Sequence, residues 1–142
     1  MTGPDLQPAM PTILITDDDP TLRAIGEELL ADQGYRILHA EDGEEALRLM
    51  ESEPVDLIVL DLIMPNKDGY ETIIELRRRK SPVRILAISS GGSMNADSLL
   101  KPALAFGADK VMTKPLRIAT FAQTISEMLD APSLESTSSG RD

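Results

Sequence analysis

The sequence predicts an α/β fold, a parallel sheet covered by helices on both faces. Short apolar runs rich in Ile and Val recur along the chain, among them Thr12-Ile13-Leu14-Ile15-Thr16 and Val55-Asp56-Leu57-Ile58-Val59-Leu60. Longer stretches with a three- to four-residue apolar period separate them, as in helices with one buried stripe. Five such αβ repeats, with central strands apolar on both sides, require a parallel sheet buried between two helical layers.

The strands are predicted at 12–16, 35–39, 55–60, 84–88 and 109–112, the last with the weakest signal, and the helices at 20–32, 43–51, 68–79, 95–106 and 116–129. Asp19 caps the first helix with Pro20 in its first turn, and Leu22, Ile25 and Leu29 line one face. Gly34 follows where a C-cap needs positive φ, as does Gly107 after the fourth helix. Gly43 lies at the start of the second helix, and Gly69, near the start of the third, allows a tight turn after Asp61. Ser81-Pro82 stops the third helix ahead of Arg84-Ile85-Leu86-Ala87-Ile88. Ile118, Phe121, Ile125 and Met128 form the buried stripe of the last helix.

A chain of 142 residues, 42% of them hydrophobic, suffices for one domain with its own core and leaves no room for a second. Residues 11–130 are expected to fold, with 1–10 and 131–142 as flexible tails too poor in apolar residues to offset the entropy of ordering. Tyr35, Tyr70, Phe106 and Phe121 are the whole aromatic set, so the interior is aliphatic and the composition argues against a cofactor or nucleic-acid stacking platform. The formal charge of -10 disfavours DNA and anionic membrane as partners. Without cysteine there is neither a disulfide framework nor a thiolate metal site. The N-terminus lacks a signal-peptide pattern and no segment approaches the roughly 18 apolar residues of a membrane span, so the expected location is cytoplasmic.

The chemistry lies at the strand ends. Asp17, Asp18 and Asp19 close the first strand, Asp61 the third, Ser89 the fourth, and Lys114 follows Lys110-Val111-Met112-Thr113 and precedes Pro115. In an open parallel sheet, ligands bind outside the carboxyl ends of strands, where strand order reverses. Carboxylates converging there repel one another and call for a cation, and oxygen-only donors favour magnesium, or manganese, over softer metals. Asp61 follows a fully apolar strand and precedes a Pro-constrained loop, so its carboxylate projects from a fixed backbone and can act as nucleophile towards phosphorus. Lys114 can reach back to a carboxylate or phosphoryl oxygen, and the Ser89 hydroxyl can donate to one.

Plainer readings exist for each residue. A lone Asp at a strand end is usually a turn or cap, yet capping needs Asp19 alone of the three. Lysines are usually solvated, and Ser89 and Ser90 before Gly91-Gly92 suit a loop. His39, the single histidine, has no catalytic companions and reads as an edge-strand or loop residue. Arg77-Arg78-Arg79-Lys80, at a helix C-terminus that favours cations, reads as a solvated patch.

Taken together, Ile13 to Pro20, Asp56 to Pro65 with Asp68-Gly69, Ile88-Ser89-Ser90, Gly107-Ala108-Asp109 and Thr113-Lys114-Pro115 resemble the receiver domain of bacterial two-component response regulators, over about residues 11–130. The resemblance implies a flavodoxin-like doubly wound sheet of order 2-1-3-4-5 and a stand-alone, single-domain switch. It implies that Asp61 receives a phosphoryl group from a sensor histidine kinase or phosphotransfer protein. Asp18, Asp61 and the Ile63 carbonyl match the direct metal ligands, and Asp17 the acidic residue acting through metal-bound water. Ser89 matches the switch hydroxyl and Lys114 the lysine contacting the phosphoryl oxygen. Self-catalysed dephosphorylation is implied too, without independent small-molecule turnover. Output is expected through contacts with a downstream protein, from a monomer or weak dimer.

Two departures stand out. Val111 occupies the position, three before Lys114, where the family usually has Tyr or Phe, and the stretch from Ser89 to Gly107 is about three residues longer than usual. Output is therefore expected through loop ordering and movement of helix 95–106 instead of a rotating ring. Ile63 and Gly91, two beyond Asp61 and Ser89, cannot hold attacking water with a polar side chain, which predicts a phosphorylated state longer-lived than in fast chemotaxis-type members. Two other functions compete. One is a phosphorylation-independent docking module. The other is a phosphohydrolase resembling the haloacid dehalogenase superfamily, with Asp17 as nucleophile and Asp19 as acid/base, although this leaves Asp61 unexplained.

Overall fold

The computed structural model describes residues 10–64, 66–89 and 96–130. Strands β1 (Thr12–Thr16), β2 (Arg36–Ala40), β3 (Leu57–Asp61), β4 (Arg84–Ser89) and β5 (Lys110–Thr113) alternate with helices α1 (Pro20–Leu29), α2 (Gly43–Ser52), α3 (Gly69–Arg78), α4 (Ala96–Phe106) and α5 (Ile118–Asp130). The strands pair in parallel in the order β2-β1-β3-β4-β5, as expected for a flavodoxin-like α/β fold.

Successive strand residues point to opposite faces, so each central strand feeds two cores. Leu14, Ile58, Leu60, Ile85 and Ala87 pack with Ala46 and Leu47 of α2, Ile73 and Leu76 of α3 and Ala103 of α4. Ile13, Ile15, Leu57, Val59, Leu86 and Ile88 pack with Phe121, Ile125 and Met128 of α5 and with Leu30, just past α1. Burial on both faces is why these strands read as unbroken apolar runs. The edge strand β5 is only four residues long and half-exposed, which accounts for its weak signal.

Local signals hold where hydrogen-bond chemistry sets them. Asp19 caps α1 by accepting the Thr21 N–H at 2.9 Å, and Asp68 forms a reciprocal capping box with Glu71 on α3. Gly34 and Gly107 adopt φ of 79° and 128°.

Several expectations need correction. The first helix ends at Leu29; i to i+3 bonds from Leu30 N–H to Glu27 and from Gln33 N–H to Leu30 tighten the chain into a 3-10 turn at Ala31–Gln33. The third strand begins at Leu57 instead of residue 55, and just before it the Asp56 carboxylate accepts the Thr12 N–H at 2.8 Å. Ile25 and Ile118 belong to no buried stripe, being 43% and 69% exposed. Nor is the basic run uniformly solvated. Arg77 donates to the carbonyls of Gly107, Ser81 and Val83 and to Asp109, all within 3.0 Å, welding the end of α3 to the turn before β5. Among the described residues, no helix is long and apolar enough to cross a membrane.

Candidate functional site

Strand register alone assembles the site. Thr16 of β1 lies beside Leu60 of β3, so the next residue on β1, Asp17, leaves the sheet next to Asp61. Asp61 pairs with Ile88, placing Ser89 one step further along β4, and Ser89 pairs with Thr113, after which Lys114 follows. Four residues scattered along the sequence thus reach one carboxyl edge, at the switch point between β1 and β3 from which α1 and α3 depart to opposite faces.

There, Asp17, Asp18 and Asp61 each offer a carboxylate oxygen, all within 4.8 Å of one another. Asp17 and Asp61 are buried, whereas Asp18 faces solvent. Lys114 Nζ lies 3.1 Å from Asp17 Oδ2 and 3.5 Å from Asp61 Oδ2. The Lys114 N–H donates to the Ser89 carbonyl at 2.7 Å, holding the β5 exit against the end of β4, and the Lys114–Pro115 peptide is cis.

Electrostatics make the cluster receptive to positive charge. Burial and then the neighbouring Asp17 push the Asp61 carboxyl up to about 6, with Lys114 and the Ile63 N–H, 3.5 Å away, offsetting part of the rise. Burial alone would lower the Lys114 pKa, but Asp61 and Asp17 together raise it above the ordinary lysine value, so the ammonium stays charged. One ammonium cannot neutralise three carboxylates. The all-oxygen donor set and residual negative charge suit a hard divalent cation, which the cluster is capable of coordinating.

The other predicted residues fall as follows. Ser89 is fully buried at the end of β4. Ile63, 57% exposed, follows Asp61 on the loop to α3, and Val111 is half-buried against the core shared by α2, α3 and α4. Asp19 is committed to capping α1. His39, on edge strand β2, has Nε2 2.7 Å from Glu27 Oε1. Pro65, Ser90, Gly91, Gly92 and Ser93, and with them the expected lengthening of the loop after Ser89, lie outside the described residues.

Sequence reasoning passed over three side chains around the cluster. Arg23 Nη1 donates to the Asp17 carbonyl at 2.6 Å. Asp42 caps α2 through the Glu45 N–H at 2.9 Å and also accepts from Asn66 Nδ2 at 3.1 Å. The Glu45 bond, outweighing burial, with help from Asn66, holds the Asp42 carboxyl below the usual range. The available signals were an Asp ahead of a helix with Glu three residues on, and Asn inside the turn-rich Pro65-Asn66-Lys67-Asp68-Gly69.

Comparisons with known proteins agree with this geometry. The family model described as the response regulator receiver domain matches residues 13–126. The chain is 40% identical over 106 residues to the transcriptional regulatory protein CpxR of Klebsiella pneumoniae, covering 75% of this chain and 44% of that protein. It spans about half the length of the curated relatives it matches. Among solved structures, the receiver domain of the Francisella response regulator 1452 superposes with a TM-score of 0.75 at 27% identity, covering 84% of this chain and 96% of that one. The chemotaxis response regulator CheY4 of Vibrio cholerae gives a TM-score of 0.75 at 27% identity, with coverages of 84% and 99%. Fold, aspartate cluster and family match converge: the chain belongs to the response regulator receiver domain family, and is a signalling module whose aspartates form the kind of site that accepts and releases a phosphoryl group.

Proposed function

We propose that Asp61 accepts a phosphoryl group from the phosphohistidine of a sensor kinase or phosphotransfer protein, and that the modified chain then signals through contacts with a downstream protein. The observation carrying this reading is the convergence of Asp17, Asp18 and Asp61 within 4.8 Å beside the Lys114 ammonium. An Asp61 oxygen forms the bond to phosphorus while the bond from phosphorus to the donor imidazole nitrogen breaks, that nitrogen keeping the electron pair. Asp18, Asp61 and the Ile63 carbonyl would hold magnesium, or manganese, directly, with Asp17 acting through bound water. When bound, the ion would supply positive charge to the oxygens of the transferring group. Lys114 would serve the same end, and Ser89 would donate its hydroxyl to a phosphoryl oxygen.

Phosphorylation adds about two negative charges to an already acidic edge, a local change able to bias two packings of the surrounding elements. With Val111 in place of a ring, that bias runs through the segment after Ser89 and through α4. The aliphatic Ile63 beside Asp61 leaves attacking water without a side-chain partner, which favours a slowly decaying phosphorylated state; loss within seconds of donor removal would count against it. The net charge of -10 favours protein partners over DNA; the partner is met in the cytoplasm by a monomer or weak dimer.

Transfer of labelled phosphate from a panel of autophosphorylated histidine kinases tests the proposal. Labelling of the wild type but not of Asp61→Asn supports it, and equal labelling of both overturns it.

A further inference from the structure

The loop between Asp61 and α3 is described at residues 62–64 and 66–68. Its neck is closed by the Gly69 N–H, which donates to the Leu62 carbonyl at 3.0 Å. Met64, 6% exposed, roots the loop in the core. Its far end is held by the corner between β2 and α2. There the Gly43 N–H donates to the Lys67 carbonyl at 3.0 Å and Asn66 Nδ2 donates to Asp42 Oδ2 at 3.1 Å. Asn66 has φ of 63°, a left-handed conformation that Asn tolerates better than most residues, so its amide is presented from a fixed backbone.

Asp42 divides its oxygens between two tasks. Oδ1 accepts the Glu45 N–H at 2.9 Å and caps α2, a task a serine hydroxyl performs equally well. Oδ2 accepts instead from Asn66, in the loop that carries Ile63. The bond joins residues 24 apart in sequence.

We propose that Asp42 is a positioning residue for the candidate cation site: acting through Asn66, it braces the loop after Asp61, whose Ile63 N–H lies 3.5 Å from Asp61 Oδ1, before an ion arrives. This rests on the proposed reading of Asp17, Asp18, Asp61 and the Ile63 carbonyl as a divalent-cation site. A backbone held in advance loses little freedom when the ion arrives, whereas a released loop must be ordered at that moment, weakening binding. The bond from Gly43 to Lys67 survives loss of the side-chain brace, so the effect is partial.

Calorimetric titration of the full chain with manganese ion tests this, using Asp42→Ser, Asn66→Gly and the double variant. Asp42→Ser keeps a cap for α2 but is too short for Asn66. Asn66→Gly keeps the left-handed backbone but has no amide. Each single variant is expected to weaken manganese binding roughly three- to tenfold, with the double variant no weaker than either, because both interrupt one contact. A purely structural role for Asp42 predicts a lower unfolding temperature with unchanged manganese affinity. That outcome, or losses that multiply in the double variant, overturns the positioning role alone. Failure of the wild type to bind manganese overturns the cation-site reading and the positioning role together.

Discussion

The Lys114 ammonium stands 3.5 Å from Asp61 Oδ2, and the same nitrogen reaches Asp17 Oδ2 at 3.1 Å. A single cation thus serves two buried carboxylates and holds together the exits of β1, β3 and β5. Replacing Lys114 by Ala leaves those carboxylates facing each other unscreened. The metal-free protein is expected to lose about 1–2 kcal/mol near neutral pH, the partial exposure of the lysine moderating the effect. Chemical denaturation measures the loss. Phosphoryl acceptance should slow by about 100-fold, the scale for removing one preorganised positive or hydrogen-bonding group from a transition state.

Asp61 itself makes stability depend on pH. Its carboxyl titrates near 6 in the folded protein against an ordinary value of 3.8. The folded state therefore binds the proton more tightly than the unfolded state, so this group's contribution to stability falls as pH rises from about 4 to about 6 and stays reduced above. Asp61→Asn removes the titration and should stabilise the metal-free protein by about 3 kcal/mol near neutral pH, the equivalent of a rise from 3.8 to about 6. Denaturation curves across the pH range should show that gain vanishing below about pH 4.

Divalent cation should reverse the destabilisation. At about a hundred times its dissociation constant, magnesium is expected to stabilise the wild type by about 2.7 kcal/mol, and a chelator to remove the gain. Because the ion needs Asp61 deprotonated, its affinity should fall as pH drops below about 6. Asp18→Asn should weaken binding by roughly tenfold or more, since it removes the exposed carboxylate of the cluster. Thermal unfolding with and without magnesium checks all three expectations.

Gly69 lies where α3 begins directly behind Asp61. A Cβ there would sit 2.5 Å from the Asp61 carbonyl oxygen and 2.6 Å from Leu62 Cα, both backbone atoms. Gly69→Ala is predicted to destabilise the fold by about 1–3 kcal/mol, the usual scale for overpacking, and to weaken magnesium binding by shifting the acceptor backbone. Calorimetric unfolding and cation titration of the same variant test both effects.

Arg77 provides the opposite case, a large stability effect remote from the chemistry. Its guanidinium meets three carbonyls and Asp109, and Asp109 Oδ2 also accepts the Ile85 N–H at 2.8 Å. Lysine cannot reproduce this fork, so Arg77→Lys should cost about 2 kcal/mol in denaturant unfolding while leaving magnesium affinity unchanged.

The fold was legible because its central strands are buried on both faces and its helix ends carry caps, and both requirements act on neighbouring residues. The cluster was legible because strand ends in a parallel sheet share an edge, so Asp17, Asp61, Ser89 and Lys114 could be placed together without knowing any side-chain contact. Periodicity put Ile25 and Ile118 on core faces, but it cannot say where the neighbouring element stops, and both are exposed. The brace from Asp42 to Asn66 and the Arg77 weld were invisible for a related reason. Each joins side chain to loop across more than 20 positions, and Asn66 also depends on a left-handed backbone that composition does not announce.

The central claim is that three carboxylates hold a divalent ion so that one of them accepts phosphate. Intact-mass measurement after incubation with a small acyl phosphate, with and without magnesium, followed by peptide mapping, tests it most directly. A gain of one phosphoryl group, dependent on magnesium and mapped to Asp61, is the predicted result. Modification independent of the ion, or an equal gain in Asp61→Asn, would contradict it.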